Sequence, residues 1–145
     1  ASLIPGEQVM HACYLQGTNV LGEPLAVLFR TEHLQSAMPW DDTDPLMLDL
    51  STYQKVAPTT DVALRWESIG AFRVSDTSWS TRIAHEQLEQ TKRWQDNYRN
   101  ASPTPFTRTE QLRATAGRHL STNLRRAAYT SLRLRGGLRS SPELP

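Results

Sequence analysis

The first half of the chain alternates apolar and polar side chains at every second position, which is the spacing typical of β-strands. Four runs carry this alternation: residues 8–16, 25–30, 46–50 and 61–74. Stretches rich in Gly, Pro, Asn and Thr separate the runs and supply turns. We therefore expect an antiparallel sheet of about four strands within residues 8–75. Run 25–30 is apolar on both faces, so it is expected to be a central strand.

After residue 77 the apolar spacing changes to steps of three to five residues, which indicates helix. Between residues 78 and 100 this spacing is carried by Trp79, Ile83, Leu88, Thr91, Trp94 and Tyr98. A second helix is expected over residues 107–135. It opens with a capping box, in which the Thr107 hydroxyl accepts from the Glu110 amide and the Glu110 carboxylate accepts from the Thr107 amide. Gly136 and Gly137 supply its end.

Together these elements predict one α+β domain over residues 1–135. Its N-terminal antiparallel sheet of about four strands is followed by two amphipathic helices, the last of them rich in arginine. Residues 136–145 form a C-terminal extension. A chain of 145 residues fits one domain. Its hydrophobic fraction of 38% indicates a modest core, which favours a subunit with exposed extensions over a large closed enzyme.

Charge is sorted along the sequence. Residues 1–77 carry ten acidic and four basic side chains, net −6, whereas residues 104–145 carry two acidic side chains and eight arginines, net +6. The formal net charge of +1 for the whole chain hides this separation. Such an asymmetry indicates a charged partner or self-association and says little about the fold.

Five arginines of the last predicted helix share one face. They lie within about 100° of arc, opposite an apolar stripe formed by Leu112, Ala116, Leu120, Leu124, Ala127 and Leu134. The five are Arg108, Arg118, Arg125, Arg126 and Arg133. No acidic residue interleaves with them, as it would on an ordinary solvated face. We expect this face to bind an anionic partner, either an acidic protein surface or nucleic acid, with a plain solvated face as the alternative.

A loop between two prolines, residues 39–45, offers the acidic counterpart. Asp41, Asp42 and Asp44 are expected to form an acidic docking surface for a neighbouring copy. Apolar anchors such as Trp40 would supply the affinity. Closely spaced carboxylates also suit Mg²⁺ or Ca²⁺, but the loop lacks the glycine and the closing glutamate of a calcium loop. No metal or other cofactor is therefore expected.

His11 and Cys13 are the candidate chemical pair. Two residues apart on a predicted strand, they would share a face, and a thiolate beside an imidazole is a nucleophile pattern. The sequence places no third residue to orient them. No catalytic residue is therefore assigned, and catalysis by this pair stays an alternative.

These patterns favour a non-enzymatic structural or assembly subunit. It would self-associate, or dock in a larger particle such as a virion or a multiprotein machine, through the acidic N-terminal half and the arginine face. The first alternative is a nucleic-acid-binding protein, for RNA or DNA, that uses the same arginine helix. The second is a small enzyme that uses His11 and Cys13 or the 41–44 loop.

Location follows from segments that the sequence lacks. No run approaches the roughly 18 apolar residues of a membrane helix, and no signal-peptide pattern opens the chain. Cys13 is the single cysteine, so no internal disulfide forms. We expect a protein without a membrane span that is not secreted, located in the cytoplasm or within a viral or other intracellular particle.

Overall fold

A computed structural model describes residues 2–65, 67–68, 70–71 and 79–134, which are mostly helical. The α-helices in these ranges are α1 Gly6–Gln16, α2 Thr31–Ser36, α3 Leu48–Val56, α4 Trp79–Arg82, α5 Gln87–Ala101 and α6 Arg108–Leu134. Two strands are present in the same ranges, β1 Ser2–Pro5 and β2 Asp61–Leu64. Short 3-10 helices occur at Pro24–Ala26, Pro45–Met47, Ala57–Thr59 and Ala84–Glu86.

The prediction of a four-stranded sheet followed by two helices is wrong. The described residues form one two-stranded antiparallel sheet, in which Ser2 pairs with Leu64 and Pro5 with Asp61. Strand β1 precedes the first predicted strand. Strand β2 covers the first four residues of the predicted strand 61–74. Of the other ten positions, five are described and are not in a strand, and five lie outside the described residues.

Residues 8–16 belong to helix α1 because their buried side chains follow helical spacing. Val9, Met10, Cys13 and Tyr14 are buried, and the two pairs Val9–Cys13 and Met10–Tyr14 each lie four residues apart. Four residues is slightly more than one turn of α-helix, so all four side chains reach the same side. The alternation that predicted a strand is present in the same residues but is not the pattern that the core uses.

The predicted strands at 25–30 and 46–50 are also replaced. Residues Pro24–Ala26 form a 3-10 helix, and residues 27–30 belong to neither a helix nor a strand. Run 46–50 is divided between the 3-10 helix Pro45–Met47 and α3, whose buried residues are Leu50, Thr52, Tyr53 and Val56. Leu50, Tyr53 and Val56 follow one another at steps of three residues, a helical spacing that becomes visible only beyond residue 50. An alternating run of five residues is too short to distinguish a strand from the start of a helix.

The second half follows the sequence more closely. The predicted helix 78–100 is present as α4, the 3-10 helix Ala84–Glu86 and α5, with a break at Ile83. The predicted helix 107–135 is α6. Its capping box is confirmed, because the Thr107 amide donates to Glu110 Oε2 at 2.8 Å and the Glu110 amide donates to Thr107 Oγ1 at 3.2 Å.

The core lies where α1, α3, α5 and α6 meet. Its larger members are Met10, Cys13, Tyr14, Leu50, Tyr53, Trp94 and Tyr98, with Ala114 contributed by α6. The ring centroid of Tyr14 lies 4.4 Å from that of Phe106 and 5.7 Å from that of Tyr98. Burial of each large apolar side chain contributes about 1.5–3 kcal/mol. Helix α6 thus packs on this core with a small side chain, whereas α1, α3 and α5 supply the large ones.

The length and composition of α6 bear on its surroundings. It spans 27 residues, or about 40 Å at 1.5 Å per residue. Neither α6 nor any other helix in the described ranges is both long enough and apolar enough to cross a membrane.

Candidate docking surfaces

The side of α6 that packs against the rest of the protein is formed by small residues. Ala114 and Thr122 are buried there, with Gly117 and Ser121 partly exposed. A Cβ atom added at Gly117 would lie 2.2 Å from the carbonyl oxygen of Leu15 at the end of α1. Because two backbones approach so closely, only a side of the helix without large side chains fits here.

The opposite side of α6 therefore carries the leucines into solvent. Leu112 is 72% exposed, Leu120 and Leu124 are each 62% exposed, and Leu134 is 82% exposed. Ala116 and Ala127, which complete the apolar stripe of the sequence, are exposed as well. We call these six residues the leucine stripe. The leucine stripe extends for about 33 Å along the helix. It faces solvent and not the core.

The five arginines of the predicted face do not share one exposed surface. Arg108 and Arg126 are exposed, but Arg118 and Arg125 are half-buried on the packed side of α6. The Arg118 guanidinium donates to Gln95 Oε1 on α5 at 3.0 Å. The side chain of Arg133 lies outside the described residues. Because the leucine stripe faces solvent, the opposite side of α6 packs against α1 and α5. The five arginines therefore do not form one exposed row.

Exposed arginines instead border the leucine stripe. Arg108 and Arg126 lie on one flank, and Arg113, which the sequence placed off the predicted face, lies within the arc of the stripe near its N-terminal end. Glu110 is the single acidic residue in α6, and its carboxylate is occupied by His11 at 3.3 Å and by Thr107. The outer surface of α6 is thus mainly apolar, with exposed arginines along one edge and one more near its N-terminal end.

Of the three aspartates predicted to form an acidic docking surface, two are exposed and one is not. Asp41 and Asp42 lie at the surface. Hydrogen bonds from Thr43 lower the pKa of Asp41, so this carboxylate is kept charged. Asp44 is buried, and its Oδ1 accepts from Arg93 Nε at 2.9 Å. Asp44 therefore fixes the 3-10 helix Pro45–Met47 to α5 and is removed from the docking surface.

A second group of exposed apolar side chains lies beside Asp41 and Asp42 in the sequence. Val20, Leu25, Leu28, Met38 and Trp40 are all exposed, Leu28 by 98%. Residues 20–42 also carry Glu23, Glu32, Asp41 and Asp42 against Arg30, a net charge of −3 from four acids and one base. We call residues 20–42 the acidic segment. Its exposed leucines were expected in a central strand, and that expectation is wrong.

Exposed large apolar residues fall into two groups within the described residues. Apart from Leu3, they lie in the acidic segment or in the leucine stripe. The two groups have opposite charges around them. Sequence reasoning identified both charged regions and named Trp40 as an apolar anchor, but it assigned residues 25–30 to a central strand.

His11 and Cys13 do not form a chemical pair. They lie on a helix, where residues two apart point to nearly opposite sides. Cys13 is completely buried, and desolvation raises the pKa of its thiol. The His11 ring stacks on Phe106 at 5.4 Å between centroids, and its Nε2 faces Glu110. The prediction of a shared face is therefore wrong, and Cys13 is a core residue.

No group of three His, Cys, Asp or Glu side chains in the described parts of the chain is arranged to hold a metal ion. Comparison of the chain with protein-family models, with curated proteins and with solved structures gives no match. Function has therefore to be inferred from the surfaces of the molecule.

Proposed function

We propose that this protein is a non-enzymatic assembly subunit that docks onto a second copy of itself. The leucine stripe of one copy would contact the acidic segment of the next. The observation that carries the proposal is the outward orientation of the stripe. Single exposed leucines are ordinary on protein surfaces, but a continuous apolar row marks a surface that another molecule covers.

The leucines account for the affinity of the proposed contact. Full burial of a leucine side chain contributes about 1.5–3 kcal/mol. Leu120 and Leu124 lie one turn apart near the centre of the stripe and are both 62% exposed. Central, well-packed apolar residues carry most of the binding energy in protein interfaces. Loss of these two side chains is therefore expected to weaken the contact more than loss of any flanking arginine.

Charge selects the acidic segment as the occupant of the stripe. A second α6 packed on the first would bring Arg108, Arg113 and Arg126 against the same three arginines, which is repulsive. The acidic segment instead offers a net charge of −3 and its own exposed apolar residues. Complementary charges set the register and speed of association, while the apolar residues hold the complex.

The two surfaces differ, so the proposed contact is heterologous. Each copy that docks leaves one leucine stripe and one acidic segment unoccupied at the ends of the complex. Heterologous contacts generate closed rings or open filaments. This behaviour suits a repeating component of a larger particle, such as a virion or a multiprotein machine.

The alternatives receive less support. A phosphate backbone tracking along five arginines requires them on one exposed face, but Arg118 and Arg125 are half-buried. A small enzyme that uses Cys13 requires an accessible thiolate, but the thiol is buried and its pKa is raised. An enzyme that uses the 41–44 loop loses Asp44, which is held by Arg93.

Sedimentation velocity over a range of protein concentrations tests the proposal. The unaltered chain is expected to associate at tens of micromolar. Its association is expected to be stronger in low salt than in high salt, because salt screens the charges on the two surfaces. A Leu120→Ser, Leu124→Ser variant is expected to associate at least about 20-fold more weakly, since burial of the exposed 62% of each leucine contributes at least about 0.9 kcal/mol. Asn123→Ser, an exposed polar change between the two leucines, is the matched control and is expected to associate like the unaltered chain.

Two results would contradict the proposal. One is an unaltered chain that stays monomeric at tens of micromolar in low salt. The other is a Leu120→Ser, Leu124→Ser variant that associates as strongly as the Asn123→Ser control. Circular dichroism of both variants establishes that α6 is still formed, so that a loss of association is not a loss of fold.

A further inference from the structure

A cleft of about 420 Å³ opens between α5 and α6, with Tyr14 of α1 contributing to its lining. Its volume falls in the range of small-molecule sites, which is about 300–1,000 Å³. Three arginines line it: Arg99 from α5 and Arg108 and Arg118 from α6. The cleft overlaps the contact proposed above at two residues, Leu112, which belongs to the leucine stripe, and Arg108, which borders it.

The arginines of the cleft are only partly neutralised. Asp96 also lines the cleft and pairs with Arg99 through an Nη2–Oδ1 distance of 3.0 Å. Arg118 is bonded to the neutral amide of Gln95. Within the described ranges, neither Arg108 nor Arg118 has a carboxylate within 4.0 Å. Three arginines against one aspartate leave a net charge of +2 at the cleft.

A buried side chain holds Arg118 in place. Gln95 is 2% exposed, and its Nε2 donates to the carbonyl oxygens of Tyr14 at 2.7 Å and of Ala114 at 3.0 Å. Both amide hydrogens are thereby used, which leaves Oε1 to accept from Arg118. Since Gln95 cannot rotate without breaking these bonds, the Arg118 guanidinium is positioned before any ligand arrives.

We propose that this cleft binds the phosphate group of a small molecule. Guanidinium groups present paired N–H donors that match the oxygens of a phosphate, and they stay charged at any physiological pH. A phosphate monoester carries up to two negative charges and three terminal oxygens, which suits a net charge of +2 and the three arginines that line the cleft. A carboxylate offers one charge and two oxygens, and so leaves the site only half neutralised.

The cleft also has room for the organic part of such a ligand. A volume of about 420 Å³ exceeds that of a bare phosphate ion, and the apolar side chains of Leu112 and Ala114 lie on its wall. The proposed ligand is therefore a phosphate monoester with a small apolar or mixed body. Inorganic phosphate shares the binding chemistry but lacks contact with this wall.

Calorimetric titration with phenyl phosphate, inorganic phosphate and benzoate tests the proposal. Phenyl phosphate is expected to bind more tightly than inorganic phosphate, and at least tenfold more tightly than benzoate, which has the same ring but a carboxylate. Arg108→Gln and Arg118→Gln are each expected to weaken phenyl phosphate binding at least tenfold. Arg126→Gln removes the same charge from α6 outside the cleft and is the matched control, expected to bind as the unaltered chain does.

Three results would overturn the proposal: no binding of phenyl phosphate at millimolar concentration, equal binding of phenyl phosphate and benzoate, or equal weakening by Arg126→Gln and Arg118→Gln. Arg108 is exposed, so its replacement does not disturb the packing of α6. Binding is expected to persist in the Leu120→Ser, Leu124→Ser variant, which separates the cleft from self-association. Loss of phenyl phosphate binding in that correctly folded variant would contradict the claim that the cleft binds phosphate independently of self-association.

Discussion

Gly117 of α6 lies directly against the carbonyl oxygen of Leu15 in α1, so closely that a Cβ atom at Gly117 would be 2.2 Å from that oxygen. Next to it, a Cβ atom at Gly17 would lie 2.4 Å from the Cα of Arg118. Gly17 ends α1 with a φ of 59°, a left-handed conformation that favours glycine. These two glycines let the backbones of α1 and α6 cross, and the crossing decides which side of α6 faces solvent.

Replacement of Gly117 by alanine is expected to destabilise the protein. At an ordinary helical position this change stabilises by about 1 kcal/mol because alanine is the better helix former. Here the added methyl group meets backbone, so we expect a net loss of about 1–3 kcal/mol in the free energy of unfolding. Urea denaturation measures it, with Asn123→Ala on the exposed side of α6 as the control. A Gly117→Ala variant at least as stable as the unaltered chain would disprove the close crossing.

The orientation of α6 is expected to appear in thiol accessibility. Thr122 is 1% exposed and Asn123, the next residue, is exposed. At low micromolar protein, Asn123→Cys should add one thiol that reacts rapidly with a chromogenic disulfide reagent. Thr122→Cys and the native Cys13 should react only on unfolding, because reagent cannot reach them and desolvation raises the pKa of the Cys13 thiol. Equal labelling rates at positions 122 and 123 would contradict the orientation.

The start of α6 could be predicted from sequence, but its orientation could not. The predicted end at Gly136 and Gly137 lies outside the described residues. The start depends on Thr107 and Glu110, three residues apart, so a local pattern is sufficient. Its orientation depends on the crossing with α1 at Gly117, which is formed by residues about a hundred positions apart. The apolar side of a helix usually packs on the core. In α6 the core side is made of small residues, and the leucines are left for another molecule.

The same limit applies to Asp44 and to α1. Asp44 resembles Asp41 and Asp42 in sequence, and its burial depends on Arg93, 49 residues away. In α1 the residues 8–16 fit alternation and helical spacing equally well. What selects the helix is the set of partners that Met10 and Tyr14 meet in α3, α5 and α6, and those partners are distant in sequence.

Gln95 is expected to be a structural as well as a positioning residue. Gln95→Leu would remove the side-chain donor that the carbonyl oxygens of Tyr14 and Ala114 share, although Tyr14 O keeps its bond from the Gly17 amide at 3.3 Å. We expect a loss of about 1–3 kcal/mol in the free energy of unfolding, since two hydrogen bonds are lost and each contributes about 0.5–1.5 kcal/mol. Arg118→Gln, which removes the outer partner and leaves both carbonyl bonds intact, is the control and should cost less. If both variants lose the same free energy of unfolding, the bonds from Gln95 to the two carbonyl oxygens do not contribute to stability.

The capping box is expected to make stability depend on acid pH. Hydrogen bonds from the Thr107 side chain and amide lower the pKa of Glu110 below its ordinary value of 4.5, with His11 acting in the same direction. The folded state therefore binds this proton more weakly than the unfolded state does. The resulting stability is fully present above the unfolded pKa of 4.5 and is lost as the pH falls through the lower folded value.

Glu110→Gln should accordingly reduce the fall in unfolding free energy between about pH 6 and about pH 3. Urea denaturation at the two pH values measures the fall. Glu89→Gln removes the same charge from an exposed position on α5 and is the control. If Glu110→Gln and Glu89→Gln change this decrease in unfolding free energy equally, the capping box does not cause it.

A mixing experiment tests the proposed heterologous contact most directly. One variant, Leu120→Ser, Leu124→Ser, removes the centre of the leucine stripe. The other, Leu25→Ser, Leu28→Ser, removes exposed leucines from the acidic segment. Each variant retains one intact surface. Light scattering should find each one monomeric alone and a 1:1 dimer when they are mixed, because the intact stripe of one meets the intact segment of the other. A mixture that stays monomeric, or a Leu25→Ser, Leu28→Ser variant that still self-associates as the unaltered chain does, would contradict the account.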